Sequence, residues 1–278
     1  MGVMKHAVSL PPFTEPATVV RWGREAQAAG WDGFFLWDHV QWRPGAAPLD
    51  PWVMLGALAQ VTRTVRLGTL VTPLSRRRPH VVAKQLTTLD RLSAGRAVLG
   101  VGLGEPVDRD FADLGEEPDP RARAAMLDEG LEVVDGLLRG PTDHRGEHYR
   151  VSADLRPRPV QSPRPPIWVA GVSPHRRPLA RARRWDGVVP IGKGDDLTPE
   201  ELAAYLRLDG EATRDGWDVV AHRAPGAGAR EYADAGATWL VESVLPTRDG
   251  WEREVDRIVN DGPRRDGQAR ADSASQTA

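Results

Sequence analysis

Cysteine is absent from the 278-residue chain. Its absence removes thiolate nucleophiles, Cys-ligated zinc and iron–sulfur clusters, and makes disulfides impossible. Lysine is nearly absent too: of 37 Lys and Arg only Lys5, Lys84 and Lys193 are Lys, which leaves 34 Arg. These Arg are scattered and matched by 39 acids, for a formal net charge of -2. A protein that neutralises phosphates would show a basic excess, so nucleic acid is not the expected partner. No apolar run approaches the roughly 18 residues that span a bilayer. Met1–Leu10 has no signal-peptide apolar core, and His6 stands where a myristoylation signal after Gly2 requires Ser or Thr. The reading is a cytoplasmic protein with no membrane partner. Phe and Tyr are also scarce, four and three against ten Trp, which raises the question of where the indoles sit.

What is present reads as ordinary globular composition, 40% hydrophobic and 27% charged, neither collagenous nor disordered. Eight short β-type runs recur, near Lys5–Leu10, Gly33–Trp37, Arg66–Pro73, Ala97–Gly104, Pro166–Gly171, Gly187–Ile191, Asp218–Arg223 and Thr238–Ser243. Segments of helical period lie between them, such as Met126, Leu127, Leu131, Val134 and Leu138. Asp50-Pro51, Asp119-Pro120, Ser173-Pro174 and Thr198-Pro199 each set a capping residue before a Pro suited to the first helical position. Thr198 with Glu201 forms a capping box. Gly30, Gly95, Gly140 and Gly236 follow apolar-periodic stretches, as left-handed helix ends do. Strands such as Ala97-Val98-Leu99-Gly100-Val101 are apolar on both faces, which favours a closed barrel. The expected fold is α/β, a single (β/α)8 TIM-type barrel over residues 1–262. Pro263–Ala278, polar and without periodicity, reads as a disordered tail. Glu105–Pro118 and Arg139–Pro165 read as long connections of the kind that carry function.

In such a barrel, chemistry belongs to the loops at the C-terminal strand ends. The second strand closes on Trp37-Asp38-His39, where an imidazole can act as general base near neutral pH. The fourth closes on Gly100-Val101-Gly102-Leu103-Gly104-Glu105, whose glycines let a flat ligand approach the backbone. It is not the dinucleotide fingerprint, because a loop follows it rather than a helix. Ala170-Gly171-Val172-Ser173 on the fifth strand and Pro225-Gly226-Ala227-Gly228 after the seventh are rival anion turns. His144-Arg145-Gly146-Glu147-His148 matches a zinc-protease pattern, but Gly146 and the extended Tyr149-Arg150-Val151 argue against the helix it needs, and no metal is expected. His6, His80 and His222 read as structural.

Taken together, Trp37-Asp38-His39, Gly68-Thr69-Leu70-Val71-Thr72-Pro73 with Pro79, Arg91–Arg96, Gly100–Glu105, and Pro157–Gln161 with Pro165–Gly171 resemble the bacterial luciferase-like family of flavin- and deazaflavin-dependent oxidoreductases. The resemblance implies a barrel that binds coenzyme F420 or FMN in its mouth, with a non-proline cis peptide near Leu70-Val71 behind the ring. Thr69, Leu70, Val71, Gly102, Gly104 and Asp38 would then contact the cofactor, and Ala170, Gly171, Val172 and Ser173 would meet its phosphate. Asp38, His39, Trp42 and Glu105 are similar to the pattern of the F420 branch. The flavin branch has Glu-His-His and a fourth-strand Arg, where this chain has Asp38-His39 and Leu103.

The implied activity is hydride transfer between F420 and a small organic substrate. His39 and Glu105 would be the catalytic residues, and Trp37, Trp42 and Lys193 the substrate pocket, with Trp168 nearby and the other seven Trp in the scaffold. Lys193 resembles the substrate-phosphate Lys of the family's sugar-phosphate dehydrogenases, whose other basic residues have no match here. Alternatives are an FMN-dependent monooxygenase fed by a flavin reductase, a barrel that binds cofactor without turnover, and a non-redox sugar-phosphate enzyme. A homodimer and an F420 or flavin reductase partner are also implied.

Overall fold

The computed structural model describes residues 3–247 and 249–264. The strands are β1 (Lys5–Leu10), β2 (Gly33–Leu36), β3 (Arg66–Pro73), β4 (Ala97–Gly102), β5 (Thr142–Arg145), β6 (Arg150–Ala153), β7 (Ile167–Val172), β8 (Gly187–Ile191), β9 (Asp218–His222) and β10 (Trp239–Ser243). The helices are α1 (Pro16–Ala28), α2 (Pro51–Val61), α3 (Pro79–Leu92), α4 (Val107–Asp110), α5 (Pro120–Arg139), α6 (Arg176–Arg183), α7 (Pro199–Leu206), α8 (Ala229–Asp234) and α9 (Trp251–Asp261). Eight parallel strands close a barrel in the order β1-β10-β9-β8-β7-β4-β3-β2, with helices around it. This is the expected TIM-type barrel, and each barrel strand lies within two residues of its expected range. No helix among the described residues is long and apolar enough to cross a membrane.

Three of the four Pro-marked helix starts are as expected. Asp50 accepts from Val53 N, Asp119 from Arg121 N and Ala122 N, and Thr198 makes the capping box with Glu201. Ser173-Pro174 is different: α6 begins at Arg176 with His175 before it, so Ser173 caps nothing and belongs to a turn. Gly30, Gly95 and Gly236 have the positive φ of left-handed helix ends, whereas Gly140 is extended, with φ -172°. Part of the Arg139–Pro165 connection is the antiparallel hairpin β5–β6. Of the expected tail Pro263–Ala278, residues 265–278 lie outside the described residues.

Side chains alternate between two cores. Ala7, Phe35, Val98, Trp168, Val189, Val220, Trp239 and Val241 fill the barrel interior. Their strand neighbours, such as Val8, Leu36, Val169, Ala221 and Leu240, pack outward under the helices, as a two-residue period requires. The lower interior is aromatic. Phe35, Trp168 and Trp239 meet with ring centroids 5.5, 6.1 and 5.3 Å apart, contacts worth about 0.5–1.5 kcal/mol each beyond simple burial. Asp218, at the start of β9, accepts both buried indoles, from Trp168 Nε1 at 3.0 Å and Trp239 Nε1 at 3.1 Å. Trp168 is therefore part of the barrel floor, away from the mouth where it was expected.

Asp218→Ala leaves two buried indole N–H groups without their acceptor, at roughly 1–3 kcal/mol each. Urea unfolding should show a loss of about 2–4 kcal/mol. A midpoint equal to the unsubstituted protein's would contradict this account of the floor.

Candidate active site

At the C-terminal end of β2 the chain passes from Trp37 to a buried Asp38 and then to His39, whose side chain is 16% exposed. His39 Nδ1 lies 3.0 Å from Oδ2 of Asp110, a fully buried carboxylate on α4. The other oxygen, Asp110 Oδ1, accepts the backbone N–H of Val40 at 2.9 Å and of Gln41 at 2.7 Å. Arg76 Nη2 stands 3.8 Å from Asp110. Burial pushes the Asp110 carboxyl up. The bonds from His39, Gln41 and Val40 and the Arg76 charge more than offset this, and the group sits below the usual carboxylate range. An ionised Asp110 accepting at Nδ1 leaves the lone pair of a neutral imidazole on Nε2. The imidazole is walled by Phe13, Trp37 and Trp42, with centroids 6.1, 6.2 and 6.3 Å from it.

Asp38 is not the partner of His39. Its carboxylate is held by Arg77, Nε at 2.9 Å and Nη2 at 2.7 Å, by Arg76 Nη2 at 3.2 Å and by Thr72 Oγ1 at 2.7 Å. Thr72 in turn accepts Trp52 Nε1 at 3.3 Å, and Thr69 Oγ1 donates to Gly100 O at 3.1 Å. Asp38 and Thr69 thus tie the ends of β2, β3 and β4 together.

The peptide between Leu70 and Val71 is cis, at the bond the resemblance pointed to. Val71 and Ala170 pack against the barrel's inner core. A Cβ on Gly102 would lie 2.8 Å from Val71 Cγ2 and 3.2 Å from Ala170 Cβ, and one on Gly100 would lie 2.2 Å from Thr69 O. Gly100 is required by the protein's own backbone. Gly102 keeps Val71 and Ala170 side by side as a flat apolar floor across β3, β4 and β7.

Gly104 has φ +84° and turns the chain toward Glu105, which is exposed at the rim. This turn is gripped from α5: Arg123, 1% exposed, donates from Nη1 to the carbonyls of Leu103 and Gly104, each at 2.9 Å. Its guanidinium carbon lies 4.4 Å from the ring centroid of the buried Phe111, the residue after Asp110. Arg123 therefore seats the loop that brings Asp110 to His39.

The two rival anion turns are now distinguishable. At the start of α8, Gly228 N is already bonded to Glu231 Oε2 at 2.8 Å, which places a negative charge there. Beyond β7, Gly171-Val172-Ser173 leads to α6, whose first turn carries Arg176 and Arg177, both exposed, and no acid. Cations at a helix N-terminus oppose its dipole and suit a site for an anion. Lys193 is exposed on the loop after β8 and lines a cavity of about 410 Å³ with Ser173, Asp195, Asp196 and Tyr205. The His144–His148 segment lies on the β5–β6 hairpin. There Glu129 takes His144 Nε2 at 3.1 Å, His148 N at 2.8 Å and Tyr149 N at 2.6 Å. That is a hairpin clamp, not two imidazoles on one helix face.

The structure thus brings His39, Trp37 and Trp42 together, sets Leu70, Val71, Gly102 and Ala170 on a neighbouring wall, and leaves Glu105 and Lys193 at the rim. Phe13, Arg76, Asp110 and Arg123 complete the site and escaped the sequence reading. The acids Asp108 and Asp110, in the short helix after the glycine-rich strand end, are the signal that could have pointed to a carboxylate partner.

This geometry defines the class, a TIM-type (β/α)8 barrel with an acid-anchored imidazole in its C-terminal mouth. Residues 3–276 match the luciferase-like monooxygenase family model, and the chain belongs to that family. Among its relatives is a protein of Beutenbergia cavernae named F420-dependent glucose-6-phosphate dehydrogenase, 39% identical over 68% of this chain and 57% of the relative. The chain spans 54 to 62% of the length of relatives so named in seven organisms, Beutenbergia cavernae included. Among solved structures, the coenzyme F420-dependent tetrahydromethanopterin reductase of Methanopyrus kandleri superposes with a TM-score of 0.75 at 18% identity, covering 94% of this chain and 99% of its own. A monooxygenase of Streptomyces bottropensis superposes with a TM-score of 0.64 at 25% identity, covering 84% of this chain and 75% of its own.

Because Asp110 is held below its ordinary range, the stability it contributes is full above the ordinary carboxylate value and is lost as pH falls through the lowered folded value. Urea melts taken from about pH 7 down to about pH 3 should show Asp110→Asn losing less stability with acid than the unsubstituted protein. Parallel pH curves would contradict the assignment.

Proposed function

We propose that the chain is an F420-dependent oxidoreductase acting on a small organic substrate, with residues 1–262 as one luciferase-like barrel domain. The observation that carries this reading is the Asp110–His39 pair, a general base of fixed tautomer in the same mouth as the apolar surface of Val71, Gly102 and Ala170. When bound, F420 supplies a two-electron hydride carrier, and the protein's share is positioning and proton transfer. Val71, Gly102 and Ala170 would hold the ring's flat face, and Ser173 with the N-terminal turn of α6 and its Arg176 and Arg177 would take the phosphate. The names of the relatives support F420, as does the absence of an Arg at Leu103.

In alcohol oxidation, His39 Nε2 accepts the hydroxyl proton as the carbinol carbon gives up its hydride. In the reverse direction it returns that proton to the carbonyl oxygen. Asp110 keeps Nδ1 protonated and aimed, and stabilises the imidazolium formed when Nε2 is charged. Phe13, Trp37 and Trp42 shield most of the imidazole and leave its remaining edge open to the mouth. Glu105, on the rim beyond Gly104, would steer proton movement on the cofactor side of the reaction.

His39→Gln and Glu105→Gln should each retain F420 on gel filtration while lowering F420 turnover, by about a hundredfold or more for His39→Gln. The readout is deazaflavin absorbance with a panel of alcohols and ketones. Unchanged rates in His39→Gln would overturn its role as base. Binding of FMN in place of F420, with oxygen consumption, would replace this reading by the monooxygenase one.

A further inference from the structure

The mouth has a second polar side that the reading above does not use. Asp218 and Val220 of β9 point into the barrel, so the two-residue period turns His222 inward as well. In the same way Trp239 and Val241 turn Ser243 inward on β10, and Ala7 turns Ser9 inward on β1. Ser9 and Ser243 are register partners across β1 and β10, and β10 pairs with β9 through Val241 and His222. His222 Nδ1 and Ser243 Oγ are 3.0 Å apart. Ser9 is fully buried, and its Oγ has no hydrogen-bond partner among the described residues. A buried hydroxyl without a partner costs about 1–3 kcal/mol, which a ligand hydrogen bond recovers.

Among the described residues, no positively charged group pairs with Ser9, His222 or Ser243. Arg223 and Glu242, the adjacent residues on β9 and β10, pair with each other at 2.7 Å with side chains 8% and 15% exposed. Lys193 is exposed on the β8–α7 loop, whose Asp196 is the acidic group that acts on His222. Burial pushes the His222 imidazole below its ordinary range against the pull of Asp196, so it is neutral near neutral pH. A neutral imidazole and two hydroxyls match the donors and acceptors of an alcohol or carbonyl group, but they cannot offset the charge of a phosphate or carboxylate.

We propose that Ser9, His222 and Ser243 form the substrate-binding arc of the mouth, and that the substrate is an uncharged alcohol or ketone rather than a phosphate ester. The proposal rests on the F420 reading and deepens it. Nε2 of His222 and Oγ of Ser9 bind an oxygen of the substrate, and Ser243 orients the imidazole through Nδ1. The arc lies on β9, β10 and β1, across the barrel from the Val71–Gly102–Ala170 floor on β3, β4 and β7, and next to β2 with its His39.

The test uses cyclohexanol and glucose 6-phosphate as probes on F420-saturated protein, with binding read by saturation-transfer NMR. Cyclohexanol should bind saturably and glucose 6-phosphate should not. Ser9→Ala and Ser243→Ala, small changes whose folding is checked by thermal melting, should each weaken cyclohexanol binding about fivefold to tenfold. His222→Phe should abolish it. Binding of glucose 6-phosphate in place of cyclohexanol, binding of neither, or equal cyclohexanol binding by the three variants would overturn the proposal. If the protein takes up no F420, the parent reading fails. The same titration of cofactor-free protein, with its dependence on Ser9 and Ser243, still decides this one.

Discussion

A carboxylate taken wholly out of water yet kept ionised is the constraint on which the mouth of this barrel depends. Asp110 is worth burying only because every lone pair that matters is met: two backbone N–H groups from Val40 and Gln41, the Nδ1 of His39, and the charge of Arg76 nearby. Those partners come from the loop after β2 and the turn after β3, while Asp110 itself comes from the connection after β4. One group thus joins three strand ends. Arg76 extends the join to Asp38, and Arg77 and Thr72 complete that second carboxylate. Arg123 holds the β4 connection against α5 from behind. The imidazole is the exposed end of a buried ionic frame, which is how its tautomer and direction are set before any ligand arrives.

Below this frame the barrel divides by chemistry. Its floor is aromatic and closed by Asp218, so the interior is a packed core and not a channel. Its upper walls differ: Val71, Gly102 and Ala170 make one side flat and apolar, while Ser9, His222 and Ser243 make the other polar and uncharged. A planar cofactor on the first side and an oxygen-bearing substrate on the second meet beside His39. The cations at the first turn of α6, on the periphery, suit the anionic end of a cofactor.

Much of this was legible from residue order. Short β-type runs between helical segments marked by Pro and Gly let β1, β3 and β8 be bounded to the residue. Asp50, Asp119 and Thr198 announced their helices through side chains that cap locally. Of the hairpin, the extended start of β6 was legible at Tyr149-Arg150-Val151, but β5 was not, because Thr142-Asp143-His144-Arg145 alternates between half-buried and exposed polar residues and so lacks an apolar face. Asp38 was read as a site group from its adjacency to His39, but side chains at adjacent positions diverge, and the true partner lies 71 residues away in sequence. His222 and Ser243 read as ordinary residues for the same reason: their bond joins neighbouring strands 21 residues apart in the chain. Counting two residues beyond Val220 and Val241 would have turned both inward. Trp168 was misplaced by its nearness in sequence to the Ser173 turn, although it lies at the other end of β7.

The account turns on whether the apolar floor and the α6 turn hold a deazaflavin. Fluorescence titration of the purified protein with F420, and in parallel with FMN, tests this most directly. Saturable binding of F420 at low micromolar concentration, with FMN binding much more weakly, is the predicted result. Binding of neither, or preference for FMN, would contradict it.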